Sequence, residues 1–133
     1  RLMSEENSVS LSAANAWNRY ESDCSQLIPP ASSGGMGMSG LALARIEAHY
    51  FINAMFLADK PLLERLPAIS HLPAAVVQGR YDVVCPITTA YELVQNWEKA
   101  VLYAVPDAGH SAMEAGTRGA LVEAMERFKS ILP

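Results

Sequence analysis

Two residues in the second half of the sequence have the types and the spacing of a catalytic acid–base pair. Asp82 follows the apolar run AAVVQG at residues 74–79, and His110 follows the apolar run AVLYAVP at residues 100–106. A carboxylate that accepts a hydrogen bond from one imidazole nitrogen fixes the tautomer of the ring, and the other nitrogen can then remove a proton from a nucleophile. The two residues could therefore support nucleophilic chemistry if the fold brings them together.

The elements around these two residues predict that they meet. Both apolar runs lack alternation and are typical of buried strands in a parallel sheet covered on both faces. Amphipathic helices are predicted at residues 86–98 and 117–132. The order strand, helix, strand, helix predicts parallel strands with right-handed crossovers. Since catalytic groups gather beyond the carboxyl ends of parallel strands, we expect Asp82 and His110 at the same edge of an α/β sheet.

The first half of the chain has a different pattern, without a strand–helix alternation. Helices are predicted at residues 9–27 and 41–56, and a shorter one lies between prolines 61 and 67. The glycine-rich stretch at residues 31–40 is predicted to be a loop. Helix 41–56 is apolar over most of its circumference, which predicts burial on more than one side.

Length, composition and charge narrow the classes of protein. The chain has 133 residues, half of them apolar, which is one domain's length with enough apolar content for a core. We divide it into an all-helical region at 1–70 and the end of an α/β sheet at 71–133. The formal net charge of −4 and the lack of a basic stripe argue against nucleic acid as a partner. No apolar run reaches the roughly 20 residues of a membrane span.

The two cysteines indicate a reducing compartment. Cys24 and Cys85 are far apart in the sequence and do not have the spacing of metal ligands. Reduced thiols of this kind are typical of cytosolic proteins. We therefore predict a cytoplasmic protein that carries neither a metal nor a cofactor.

Four short motifs resemble those of one enzyme family. GRYDVVCP at residues 79–86 and VPDAGHS at 105–111 resemble the C-terminal part of proline iminopeptidases, also called prolyl aminopeptidases, which are α/β-hydrolases. ARIEAHYF at 44–51 and AWNRYE at 16–21 resemble two motifs in the helical cap of that family. The four motifs keep the family's order and nearly its spacing. The resemblance therefore implies that 1–70 is part of a cap and that 71–133 is the C-terminal part of the α/β-hydrolase core.

The resemblance also implies a role for several residues. Asp82 and His110 would be the acid and the base of a Ser–Asp–His triad, in the chain order of α/β-hydrolases. Glu21 and Glu47 would bind the N-terminal amine of a peptide that begins with proline, since a charged hydrogen bond strengthens in a partly desolvated cavity. Trp17, Tyr50 and Phe51 would supply an apolar pocket for the proline ring, and Cys85 would lie near the site.

The nucleophile that this chemistry needs is missing from the sequence. An α/β-hydrolase serine sits in a G-x-S-x-G pentapeptide, and none occurs here. GMSG at residues 37–40 fails because Leu41 stands where the last glycine belongs, and Ser111 is adjacent to His110. We therefore expect a C-terminal portion that is inactive alone. A complementary N-terminal fragment or a second copy of the chain is the expected protein partner, because a partial sheet exposes a strand edge.

Other interpretations of the same residues stay open. Asp82 could be a turn acid and His110 a solvated loop residue, and Glu21 and Glu47 could be solvated helix charges. A different α/β-hydrolase, such as an esterase or an epoxide hydrolase, would have a similar sheet end. A catalytically dead fragment that acts as a self-associating module is the third possibility.

Overall fold

The chain folds into α-helices and a pair of parallel strands, so the predicted α/β class is confirmed. The computed structural model describes residues 1–29, 36–57 and 62–130. In chain order, the elements of these residues are α1 (Asn7–Ser25), α2 (Gly37–Ile52), α3 (Leu62–Arg65), β1 (Ala74–Gly79), α4 (Ile87–Gln95), β2 (Ala100–Val105) and α5 (Ala115–Lys129), with short 3₁₀ helices at Ala54–Phe56 and Leu66–Ala68. None of the helices in this described part is long and apolar enough to cross a membrane.

The described residues fall into two compact units. The first unit contains the described residues of 1–57 except 24–28, and the second contains 24–28 and 62–130. The chain passes from the first unit into the second near the end of α1. The predicted division at residue 70 into a cap and a core remains a prediction.

The second unit is built on β1 and β2, which pair in parallel. The register runs from Ala74 opposite Ala100 to Gly79 opposite Val105. Strand β1 has the predicted bounds, and β2 ends one residue earlier than predicted because Pro106 has no backbone N–H for the ladder. Helices α4 and α5 both pack against the two strands.

The expectation that both faces of the sheet are covered is wrong for the described residues. Only the last residue of each strand, Gly79 and Val105, is buried. Val101 and Ala104, whose side chains point to opposite faces of β2, are both exposed, Val101 at 54%. A sheet of two strands with two helices against it is too narrow to be covered completely.

Backbone pairing continues past the end of β1 and sets the positions of the loops. The N–H of Arg80 donates to the carbonyl of Val105 over 2.9 Å, and the N–H of Tyr81 donates to that of Ala108 over 3.0 Å. Ala108 is fully buried. The loop after β1 and the loop after β2 are therefore joined at one edge of the sheet, as the topology predicts.

A glycine at the end of β1 allows this close approach, which gives a stability prediction. A Cβ atom at Gly79 would lie 1.9 Å from the carbonyl oxygen of Gly109, whereas one at Gly119 in α5 would meet nothing within 4 Å. We expect Gly79→Ala to lower the free energy of unfolding by about 3 kcal/mol or more, since two backbone segments must move apart. Gly119→Ala should raise it by roughly 0.5–1 kcal/mol, because alanine favours a helix interior. Urea unfolding of both variants measures the two changes in the free energy of unfolding. If Gly79→Ala changed it as little as Gly119→Ala does, the close approach of Gly79 to Gly109 would be contradicted.

The first unit is formed by α1 and α2, which pack through small residues. Ala14 of α1 and Leu41 and Ala44 of α2 are its buried core. At Gly40 a Cβ atom would lie 2.6 Å from the side-chain nitrogen of Asn18, so a larger residue there would have to displace the Asn18 side chain.

Two predictions for the first unit are wrong. Residues 37–40 form the first turn of α2 instead of the predicted loop, and the N–H of Gly40 donates to the carbonyl of Met36 over 3.4 Å. Residues 31–35 of that loop lie outside the described residues. Helix α2 is not buried on more than one side. Its buried residues Gly40, Leu41 and Ala44 lie against α1, whereas Ile46 and Ile52 are exposed.

Candidate active site

The carboxylate of Asp82 is the centre of a hydrogen-bonded network in the loop after β1. Its Oδ1 accepts the backbone N–H groups of Val84 and Cys85 over 2.9 and 2.8 Å. Its Oδ2 accepts the side-chain amide of Gln78 over 2.6 Å and lies 2.9 Å from Nδ1 of His110. The structure thus brings the predicted pair into direct contact, and four donors surround one carboxylate.

This network favours the charged form of Asp82. The residue is only 7% exposed, and burial is the largest single influence, one that raises the pKa of the carboxyl group. The N–H of Cys85, the imidazole of His110 and the N–H of Val84 stabilise the anion. Together they outweigh the burial and hold the pKa of Asp82 below its ordinary value of 3.8. The ionised carboxylate of Asp82 can therefore stabilise the imidazole of His110 when that ring is protonated.

The geometry of the pair determines the tautomer of His110. Since the Asp82 carboxylate can only accept, Nδ1 of His110 donates to it and carries the proton. In the neutral ring, Nε2 then holds the lone pair and is the basic nitrogen. The imidazole is 40% exposed while the Asp82 side chain is 3% exposed. The pair therefore combines a buried, fixed acid with a base that a reactant can reach.

Gln78 is a further residue of this network that was not among the predicted site residues. Its amide donates to Oδ2 of Asp82 and, over 2.9 Å, to the carbonyl of Cys85, so it ties the carboxylate to the loop behind it. Both partners are acceptors, which fixes the orientation of the amide. A polar residue next to the end of the apolar run AAVVQG was the signal that could have revealed it.

Cys85 lies beside Asp82, but it contacts the acid through its backbone. The N–H of Cys85 is the donor to Asp82, its carbonyl accepts from Gln78, and the residue is exposed. The predicted location near the site is consistent with these bonds. A contact of Cys85 with substrate stays a prediction.

A second cluster of predicted site residues lies in the first unit. The indole N–H of Trp17 donates to Oε2 of Glu47 over 2.9 Å, which links α1 to α2. Glu21 lies one helical turn beyond Trp17 on α1 and shares a side-chain hydrogen bond with Glu47. The ring of Phe51 is tilted against that of Trp17, with the centroids 6.0 Å apart. Two carboxyl groups and two aromatic rings are therefore gathered between these helices.

Tyr50 makes its ring contacts elsewhere on α2. Its ring stands edge-on to that of Phe56 at 5.4 Å and to that of His49 at 6.2 Å. Phe51, by contrast, is on the side of α2 that faces Trp17. Both Tyr50 and Phe51 are about half exposed, at 48% and 55%, so each has apolar surface available to a ligand.

The two glutamates cannot both be charged without cost. Burial is the largest influence that raises the pKa of Glu21, and the hydrogen bond and the repulsion from Glu47 raise it further; the indole of Trp17 acts in the opposite sense. A cation that binds between the two carboxyl groups would offset this repulsion. The cluster therefore has the chemistry of a site for an ammonium or imino group.

A carbon-detected NMR titration of the Glu21 side chain tests this carboxyl pair. We expect the midpoint for Glu21 to lie above its ordinary value of 4.5 in the wild-type chain. Glu47→Gln should lower the midpoint, because the amide removes the repulsive charge and can donate to the Glu21 carboxylate. Glu5→Gln, at an exposed position of the same unit, is the control. An unchanged midpoint in Glu47→Gln would show that the two groups do not interact.

Comparison with known proteins confirms the predicted resemblance. A probable proline iminopeptidase of Leptolyngbya boryana is 45% identical over 96% of this chain, and proline iminopeptidases of Arabidopsis thaliana and Neisseria gonorrhoeae are 40% and 39% identical over 99%. The chain spans only 41%, 36% and 41% of these three proteins. No family model matches the chain.

Proposed function

We propose that this chain is the C-terminal portion of a proline iminopeptidase, a serine exopeptidase that releases N-terminal proline from peptides. The observation that carries the proposal is the 2.9 Å contact between Asp82 and His110 at one edge of a parallel sheet. The curated relatives with that name support it. In this proposal the sheet is the end of an α/β-hydrolase fold, the helical region 1–70 is part of its cap, and the location is cytoplasmic.

The proposed mechanism uses the two clusters for different tasks. The amine of the substrate's proline binds the carboxylates of Glu21 and Glu47, and its ring lies against Trp17 and Phe51. A serine from a part of the protein outside this sequence attacks the carbonyl carbon of the proline.

His110 and Asp82 carry the proton through both halves of the reaction. Nε2 of His110 takes the serine proton during the attack, and Asp82 stabilises the imidazolium. His110 then protonates the leaving amine as the peptide bond breaks, which leaves a prolyl ester on the serine. Water hydrolyses this ester with His110 again as the base, and proline is released.

A chimera with a relative tests this function, because the relative supplies the part of the enzyme that carries the proposed serine. In the chimera, this chain replaces the matching region of the Leptolyngbya boryana protein, which is 41% of that protein. We expect it to hydrolyse proline p-nitroanilide and to discriminate strongly against N-acetylproline p-nitroanilide, whose nitrogen has no charge for Glu21 and Glu47 to bind. The unmodified relative is the positive control, and circular dichroism reports whether the chimera folds.

The alternative interpretations predict other outcomes of this assay. A preference for simple esters or epoxides over proline p-nitroanilide would favour a different α/β-hydrolase. A folded chimera without any hydrolytic activity would favour the inactive, self-associating module. Mixing the separate N-terminal part of the relative with this chain gives a second test that does not depend on the fusion joint.

A further inference from the structure

A carboxylate outside the predicted site joins two backbone segments that are distant in the sequence. Oε2 of Glu114 accepts the N–H of Gly109 over 2.6 Å, and Oε1 accepts the N–H of Leu27 over 2.8 Å. Gly109 immediately precedes His110. One side chain therefore holds the His110 loop against the segment that follows helix α1.

The other side of His110 is held by the same segment. The N–H of Ser111 donates to the carbonyl of Ser25 over 2.7 Å. A Cβ atom at Gly109 would lie 2.9 Å from the backbone nitrogen of Leu27, so the two segments approach as closely as a glycine allows. Both residues that flank His110 are thus fixed to residues 25–27.

The position of Glu114 makes these contacts unusual. It is the N-cap residue of α5, a position where the side-chain oxygen of Ser, Thr, Asp or Asn ordinarily accepts an N–H of the first helical turn. Its side chain makes no such capping bond and instead turns to Gly109 and Leu27. The carboxylate is used to fix the loop before the helix rather than the helix itself.

We propose that Glu114 is a positioning residue for His110, an inference that rests on the proposed catalytic function of that histidine. The 2.9 Å contact between Nδ1 of His110 and Asp82 depends on where the loop places the imidazole. The segment that Glu114 holds belongs to the same compact unit as His110. Glu114 therefore fixes the loop that carries the base within that unit.

Proton NMR of the chain itself, without any substrate, tests this role. Glu114→Gln keeps the shape of the side chain but leaves one acceptor oxygen for two N–H donors, and it removes the charge. We expect hydrogen exchange of the Gly109 and Leu27 amides to accelerate about tenfold or more. The Nδ1 proton of His110 should exchange with solvent faster by a similar factor, because its contact with Asp82 loosens. Glu126→Gln, at an exposed glutamate of the same helix, should change none of these signals.

Three results would overturn the inference. Faster amide exchange with an unchanged Nδ1 proton of His110 would make Glu114 a purely structural residue. Unchanged amides would show that the two hydrogen bonds do not hold the loop. If the variant does not fold, hydrogen exchange in the wild-type chain still tests the inference. Exchange of the Gly109 and Leu27 amide protons at the rate of an unstructured peptide would show that the contacts with Glu114 do not form. None of these signals requires peptidase activity, so failure of the proline assay alone would overturn the proposed function and not the contacts.

Discussion

Replacing Asp82 by asparagine in the chimera is expected to lower kcat for proline p-nitroanilide by about 10⁴-fold, the loss seen when a serine peptidase loses its triad acid. The new side-chain amide would present one acceptor oxygen to four donors, from Val84, Cys85, Gln78 and His110. The imidazole would lose the charge that stabilises its protonated form, and its tautomer would no longer be fixed. KM should change little, since Asp82 does not contact the substrate in the proposed mechanism.

The control for this variant is Asp107→Asn, which changes an exposed acid on the loop that also carries His110. It should keep kcat within about twofold, as is usual for a surface substitution. A loss of less than about tenfold in folded Asp82→Asn, against the 10⁴-fold expected of a triad acid, would refute the catalytic role of Asp82.

The same variant should also unfold more easily, with a defined dependence on pH. Unsatisfied buried donors cost about 1–3 kcal/mol, so we expect a loss of that size near neutral pH. Because the pKa of Asp82 is lower in the folded chain than its ordinary 3.8, its charge stabilises the fold above that value. The stability is lost as the pH falls through the lowered pKa. The difference between wild type and Asp82→Asn, measured by urea unfolding, should therefore shrink in acid.

The second large effect is expected at the carboxyl pair of Glu21 and Glu47. A charge-assisted hydrogen bond is worth about 1.5–3 kcal/mol, so Glu47→Gln in the chimera should lower kcat/KM for proline p-nitroanilide by roughly 10- to 100-fold. Most of the loss should be a higher KM, because the amine is bound before and during the reaction. Glu21→Gln should act in the same direction, and the double variant should lose less than the product of the two, since the groups interact.

Discrimination against an uncharged substrate separates this role from a structural one. In wild-type chimera, N-acetylproline p-nitroanilide should be a far poorer substrate than proline p-nitroanilide; in Glu47→Gln the ratio should narrow. Glu5→Gln, exposed in the same unit, should leave the ratio unchanged. An equal loss for both substrates in Glu47→Gln would mean that Glu47 supports the helices, for instance through its bond to Trp17, and does not recognise the amine.

The sequence predicts the contact between Asp82 and His110 well because the topology of the two strands determines it. Strand β1 matches its predicted bounds, and the parallel pairing brings the loops of Asp82 and His110 together. The apolar pattern and the order of the elements suffice for this conclusion. Hydrogen bonds made by individual side chains across loops, such as those of Gln78 and Glu114, depend on the exact path of the backbone and leave no periodic signal.

The errors in the first half of the chain have a physical cause. Gly40 belongs to a glycine-rich stretch that predicts a loop, whereas in the structure it is a buried residue of α2 beside the side chain of Asn18. An apolar helix was expected to be buried on several sides, yet α2 exposes residues such as Ile46 and Ile52. Apolar composition shows that a helix can be buried but does not show on how many sides other segments pack against it.

The rate of proline p-nitroanilide hydrolysis by three proteins tests the central claim most directly: this chain alone, the remaining part of the Leptolyngbya boryana relative alone, and the chimera of the two. We predict that only the chimera is active, because the proposed mechanism takes the serine and its base from different parts of the protein. His110→Ala should abolish the activity of the chimera, because it removes that base. Activity of this chain alone would contradict the account, since it would require a nucleophile within these 133 residues. Full activity of the folded chimera with His110→Ala would contradict it as well.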